Sequence, residues 1–202
     1  LRGYPSLYGR PNRPDYFIHA GALTRPMVIH ETEPNRSVAT NIIGTSNVVL
    51  TCMKYEVKLI YLSTDYVYPG TDGNYNEDDY LKPFTKYGWS KLGGECAVKL
   101  YDNHLILRMS MNKRPFPHPK ALVDMKKSLM YIDDASKVVL KLLDEKGTIN
   151  IGGKSQSVYD FVKDTNPDTG KIYLDDIDDV NMAKDCSMNT SKMKKLLNDT
   201  II

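Results

Sequence analysis

Two short apolar runs about 40 residues apart, joined by one long helical pattern, leave this chain few possible folds. The first run, Pro14-Asp15-Tyr16-Phe17-Ile18-His19-Ala20-Gly21-Ala22, reads as a strand closing in small residues. The second, Val57-Lys58-Leu59-Ile60-Tyr61-Leu62-Ser63, reads as a buried strand. Between them, from Ser37 to Leu50, apolar residues recur at spacings of three and four, the period of an amphipathic helix. Strand, helix and strand at this spacing make a βαβ unit, and hence a parallel sheet. A helix over about 85–100 and a third strand, His104 to Met109, extend the alternation. The expected class is α/β.

The rest of the chain is less regular. Residues 69–84 form a polar loop carrying Glu77, Asp78 and Asp79, and a solvated loop is a better reading than a metal site. From Met111 to Met130 no period is visible, and the prolines at 115, 117 and 119 exclude helix and central strand. Asp133-Asp134 is expected to cap a helix running from Ala135 to Asp144. A strand and turn at 148–153, a helix over about 158–164 and a last helix near 191–197 complete the pattern.

Composition excludes several classes. The 202 residues suffice for one sizeable core, or for one and a half domains. A net charge of +2, with no basic stripe interleaved with aromatics, gives no sign of nucleic-acid binding. No apolar run approaches the roughly 20 residues of a membrane span, and no signal peptide is visible. The cysteines at 52, 96 and 186 are odd in number and lack a Cys-x-x-Cys pattern, which suggests free thiols in a reducing cytoplasm. The histidines lack metal-ligand spacing, so no metal site is expected.

The chemistry concentrates at the end of the second strand and in the following helix. Thr64 and Ser63 fall at the strand's carboxyl end, where open α/β sheets bind ligands. Tyr87 and Lys91 are four apart on the helix and so share a face. A lysine ammonium beside a phenol lowers its pKa from about 10 and suits it to acid–base work on a carbonyl or alcohol. The spacing alone is weak evidence, because Tyr159 and Lys163 repeat it in an ordinary amphipathic helix. Asn41 is a polar residue within an apolar helical pattern, and a polar group facing a core needs partners.

Several segments in order resemble the extended short-chain dehydrogenase/reductases that act on nucleotide sugars, most of all the dTDP-4-dehydrorhamnose reductases. They are Ile18-His19-Ala20-Gly21-Ala22, Asn41-Ile42-Ile43-Gly44-Thr45, Leu62-Ser63-Thr64-Asp65-Tyr66-Val67-Tyr68, and Lys82-Pro83 ahead of Tyr87-Gly88-Trp89-Ser90-Lys91-Leu92-Gly93-Gly94-Glu95. Leu107-Arg108-Met109-Ser110 and Tyr131-Ile132-Asp133-Asp134-Ala135-Ser136 follow. The resemblance implies a Rossmann-like parallel sheet with helices on both faces, N-terminally incomplete, over residues 1–110. The helix at 131–146 would pack with it, and 111–202 would be mainly a small α/β substrate-binding lobe. It also implies NADP or NAD as cofactor, a nucleotide-sugar substrate and a cytoplasmic enzyme of carbohydrate biosynthesis, and it is compatible with a homodimer. By position, Tyr87 would protonate the 4-keto oxygen, Thr64 would hydrogen-bond it, and Lys91 would bind the nicotinamide ribose and lower the Tyr87 pKa. Ala20, Gly21, Ala22 and Ser63 would line the dinucleotide, with Asn41 near it, and Tyr87 would contact it along with Lys91. The Pro-rich stretch from Arg114 to Pro119 would shape the sugar pocket.

Two departures qualify the resemblance. The dehydratases of the family follow the Thr-Asp pair with Glu; Tyr66 stands there, which favours a reductase and leaves a 4-epimerase less well excluded. No G-x-x-G-x-x-G frame occurs, so the pyrophosphate-binding turn is expected to lie outside 1–202. That gap keeps open a non-catalytic regulatory or binding subunit derived from such an enzyme.

Overall fold

The computed structural model describes residues 14–177 and 182–199. Strand β1 (Tyr16–His19) leads to a short helix α1 (Met27–Thr32) and then to a helical run of three parts. These are α2 (Pro34–Ser37), a π-helical stretch over Val38–Ile43, and α3 (Gly44–Tyr55). Strand β2 (Lys58–Thr64) follows, then a single 3₁₀ turn, then α4 (Lys86–Val98) and β3 (His104–Met109). Short strands β4 (Met111–Asn112), β5 (Lys120–Leu122), β6 (Lys126–Lys127) and β7 (Met130–Tyr131) precede α5 (Ile132–Lys141). The chain continues through β8 (Gly147–Ile151), β9 (Gln156–Ser157), α6 (Val158–Val162), β10 (Gly170–Ile172) and α7 (Ser191–Asp199).

The main sheet is parallel, in the order β1-β2-β3-β8, with Ile60 opposite Leu105 and Leu107 opposite Ile149. Side chains alternate across it. On one face Ile60, Leu105, Leu107 and Ile149 pack with Ala135 and Val139 of α5, with Leu142 that caps it, and with Met193 of α7. On the other, Leu59, Tyr61 and Ile106 pack with Val49 and Cys52 of α3 and Val98 of α4. Helices cover both faces, as near-continuous apolar parallel strands require.

Four sequence expectations change. The helix between the first two strands starts earlier and widens into a π stretch, which turns Asn41 into the core. Asp133 and Asp134 lie in the first turn of α5 rather than capping it, where they complement the helix dipole; Tyr131 is the cap residue. The stretch 111–130 holds four short strands whose partners, apart from the β4–β7 pair, are far along the chain, so no local period betrays them. The sheet body also reaches past residue 110, because β8 joins the sheet and α7 packs on it. A further apolar cluster is built around Phe116, Leu122, Met125, Leu129, Val158 and Val162.

Gly88 sets how closely α4 approaches the end of β2. A Cβ there would stand 2.3 Å from the Tyr66 carbonyl oxygen and 2.9 Å from Cβ of Pro83. Because one obstacle is backbone, Gly88→Ala should cost about 1–3 kcal/mol in urea denaturation, the usual range for overpacking.

Candidate functional site

Thr64 closes β2 and its hydroxyl caps the next turn, accepting from the Tyr66 amide at 3.3 Å. The same hydroxyl donates to Asp65 Oδ1 at 3.1 Å. Tyr87 sits in the first turn of α4, where Thr85 caps the helix through the Gly88 amide at 3.0 Å. The Thr64 hydroxyl lies close enough to the Tyr87 phenol to favour its ionised form. Both line a cavity of about 840 Å³ with Ser63, Asp65, Tyr66 and Lys127. Pro117 and His118 of the Pro-rich stretch also line it, and Arg25 Nη1 donates to His118 Nε2 at 3.3 Å across its mouth.

Lys91 lies one turn along α4, buried, with Nζ donating to the Leu62 carbonyl at 2.8 Å and resting 4.1 Å from the centre of the Tyr61 ring. Burial depresses its ammonium to about 8, and Glu95 opposes that fall. The Tyr87 phenol behaves differently from the sequence expectation. Burial pushes it up to about 12; the Thr64 hydroxyl and Lys127 pull it down, and Asp65 and Tyr66 push it up. Lys127, on β6, is a cation that pulls the Tyr87 phenol down.

The remaining expected residues divide. Ala20 and Gly21 are exposed just beyond β1, with Ala22 half-buried. A Cβ on Gly21 would meet only His19, at ordinary contact distance, so this shelf is open to a flat ligand. Asn41 is a brace: its amide donates to the Leu23 carbonyl at 2.9 Å and to Ser90 Oγ at 2.8 Å, and its oxygen accepts from the Leu23 amide at 2.8 Å. It ties the segment after β1 to α4. Ser63 lines the cavity, yet its hydroxyl is donated to Glu95 Oε1 at 2.5 Å. Ala20, Gly21, Ala22, Asn41 and Lys91 do not line the cavity that holds Thr64 and Tyr87.

Behind the site lies a network that sequence reasoning missed. Arg108 of β3 and Glu95 of α4 form a fully buried ion pair at 2.8 Å, with a second bond from Nε at 3.1 Å. Arg108 also donates to Tyr68 Oη and to the Glu77 carbonyl, both at 2.9 Å. Tyr68 in turn donates to Asn150 Oδ1 on β8 at 2.8 Å. A charged residue inside the apolar run Leu105 to Met109 was the available signal, because a buried charge requires a partner. Among the described residues no cluster of His, Cys, Asp and Glu could hold a metal, and no helix is long and apolar enough to cross a membrane.

Comparison with known proteins places these features. The family model described as the RmlD substrate binding domain matches residues 8–112, just over half of the chain. The chain is 36% identical over 86 residues to methionine adenosyltransferase 2 subunit beta of Xenopus laevis, a match covering 43% of this chain and 25% of that protein. It is 45% identical over 100 residues to a probable low-salt glycan biosynthesis reductase of Haloferax volcanii, covering 48% of this chain and 32% of that one. These matches thus span a quarter to a third of the relatives' lengths. The fold superposes with a TM-score of 0.79 on a dTDP-4-dehydrorhamnose reductase of Bacillus anthracis in complex with NADP, at 24% identity, covering 92% of this chain and 74% of that one. A Rossmann-like sheet ending in this Thr, Tyr and Lys set, together with the matched family model, makes the chain a member of the RmlD substrate-binding-domain family.

Proposed function

We propose that this chain carries the proton-donor half of an NADPH- or NADH-dependent reductase acting on a 4-keto nucleotide sugar. The observation that carries the reading is the Tyr87 phenol beside Thr64 on the wall of a cavity large enough for a sugar. A phenol held near 12 keeps its proton at neutral pH, as a donor must before the oxygen it serves becomes basic. Tyr87 then gives its proton to the former keto oxygen, and Thr64 supplies a hydrogen bond to the oxygen that has become electron-rich. Bound reduced nicotinamide would supply hydride to the carbonyl carbon. The open Ala20–Gly21 shelf and the buried Lys91 ammonium are the residues that would hold the dinucleotide, and the Bacillus relative that shares this fold binds NADP.

Incubating the protein, with whatever sequence flanks it in its gene, with NADPH and a 4-keto-6-deoxy nucleotide sugar tests the proposal through loss of nicotinamide absorbance at 340 nm. Oxidation that depends on the sugar supports the reading; no oxidation with either NADPH or NADH sinks it. A pH dependence should accompany binding. Lys91 loses its proton around pH 8, lower than a free lysine, so its charge is present below that pH and lost above it. Dinucleotide affinity followed by NADPH fluorescence should therefore fall as pH rises from 7 to 9, and Lys91→Met should flatten that fall.

A second reading has its own support. A relative at 36% identity is named as a subunit of methionine adenosyltransferase 2, so a regulatory or binding role for this fold is the competing proposal. Dinucleotide binding without turnover of any 4-keto sugar would favour it.

A further inference from the structure

Lys127 sits on β6, outside the Thr64, Tyr87 and Lys91 set, yet its side chain enters the same cavity. Its Nζ meets Asp65 Oδ2 at 2.9 Å, with side-chain exposures of 12% and 2%. It also lies 4.1 Å from the centre of the Tyr66 ring, which meets the Tyr87 ring edge-on at 6.1 Å. Its neighbour Lys126 is exposed, so the inward turn of Lys127 is specific to that position.

Asp65 is the point of leverage. Its Oδ1 accepts the Thr64 hydroxyl and its Oδ2 faces Lys127. Thr64 has one proton, and two oxygens want it: the Asp65 carboxylate and, once Tyr87 has given up its own proton, the Tyr87 phenolate. An unpaired buried carboxylate would hold that proton strongly; one already paired with an ammonium holds it less.

We propose that Lys127 is a positioning residue which, by pairing with Asp65, frees the Thr64 hydroxyl to turn from Asp65 towards the Tyr87 oxygen when that oxygen becomes negative. The inference rests on the reductase reading for its catalytic meaning, but the hydroxyl turn is a property of the chain alone. No bond other than hydrogen bonds changes partner: the Thr64 proton stays on Thr64 throughout. The directions of influence on Tyr87 agree, with Thr64 and Lys127 favouring phenolate and Asp65 opposing it. Other titratable groups near Tyr87 are Tyr66, Tyr61 and His30, whose ring lies 5.0 Å from that of Tyr87, with Lys91 on its own helix. Lys127 is faced by Asp65, Tyr66 and Cys186.

The test replaces Tyr87 with 3,5-difluorotyrosine and follows its titration by ¹⁹F NMR in the full chain without substrate. The fluorines lower the phenol pKa alike in every variant and bring it into a range the fold tolerates. Lys127→Met should raise the midpoint by about half a pH unit or more, and Asp65→Asn should lower it. The double variant should return to near the parent value, and Lys127→Arg should stay close to it. A mere tether between β6 and the sheet predicts otherwise: both single variants would move the midpoint the same way, or neither would, and either result overturns the proposal. Should Lys127→Met fail to fold, Asp65→Asn and the double variant still decide, because the first must lower the midpoint and the second must cancel that shift. In turnover, Lys127→Met should reduce kcat with little change in KM. Opposed midpoint shifts without any turnover would retain the positioning role and discard the reductase reading.

Discussion

Tyr87→Phe should lower turnover of a 4-keto nucleotide sugar by about 10²–10⁴-fold, the usual worth of a positioned proton donor, while the protein still folds. The stability term is small because the phenol lines the cavity, so removing its oxygen costs at most one neutral hydrogen bond, about 0.5–1.5 kcal/mol net. The ring itself is kept, so its packing against Tyr66 and His30 persists. The measurement is kcat from NADPH absorbance beside a thermal melt. A large loss of kcat with an unmoved melt assigns Tyr87 to chemistry; a melt that collapses with it makes Tyr87 a structural residue. Thr64→Val should cost less in kcat, because it removes one hydrogen bond to the reacting oxygen and leaves the donor in place. It should also raise the Tyr87 midpoint, since the Thr64 contact favours phenolate. Dinucleotide affinity should be nearly unchanged in Thr64→Val, because Thr64 is not among the residues expected to hold the cofactor.

The parts of this protein that were legible in its sequence are those where one local rule acts alone. Strands β2 and β3 are apolar on both faces, so their runs stand out, and β3 was bounded at His104 and Met109 by composition alone. Tyr87 and Lys91 share a helix, so their common face follows from spacing. What sequence did not show is pairing across long separations. The sequence marks β8 as a strand, but not that its Ile149 lies opposite Leu107. Nothing in the sequence singles out Lys127, and only the fold carries it across to Asp65, 62 positions earlier in the numbering. The expectation that Lys91 tunes Tyr87 came from adjacency on the helix. In the structure its amine donates to the Leu62 carbonyl, and Lys127, from the distant strand β6, adds a nearby charge. Asn41 was the intermediate case: a polar residue in an apolar pattern announced a need for partners, and the partners proved to be Leu23 and Ser90.

Removing one half of the Arg108–Glu95 pair should be the most damaging single change to stability. Both side chains are fully buried, so Glu95→Ala leaves a guanidinium in the core without its carboxylate, at a cost of about 3–5 kcal/mol. Most small domains are stable by only about 5–15 kcal/mol, so the variant should approach or cross the threshold for folding. Ser63, which donates to Glu95, would lose its partner as well. A paired replacement separates charge from packing. In Glu95→Leu with Arg108→Met no charge is stranded, and much of the loss should be recovered, because well-packed apolar substitutes for a buried ion pair are often neutral. Recovery will be incomplete, since Tyr68 and the Glu77 carbonyl still lose the Arg108 donor. Urea denaturation of Glu95→Leu, Arg108→Met and their double variant reads this directly as a coupling energy. A double variant no more stable than Glu95→Ala would show that the network's value lies in its hydrogen bonds to Ser63, Tyr68 and Glu77 rather than in cancelling one buried charge with another. Because Tyr68 passes the network on to Asn150 of β8, either result also measures how firmly the far strand is tied to the end of β2, where Thr64 stands.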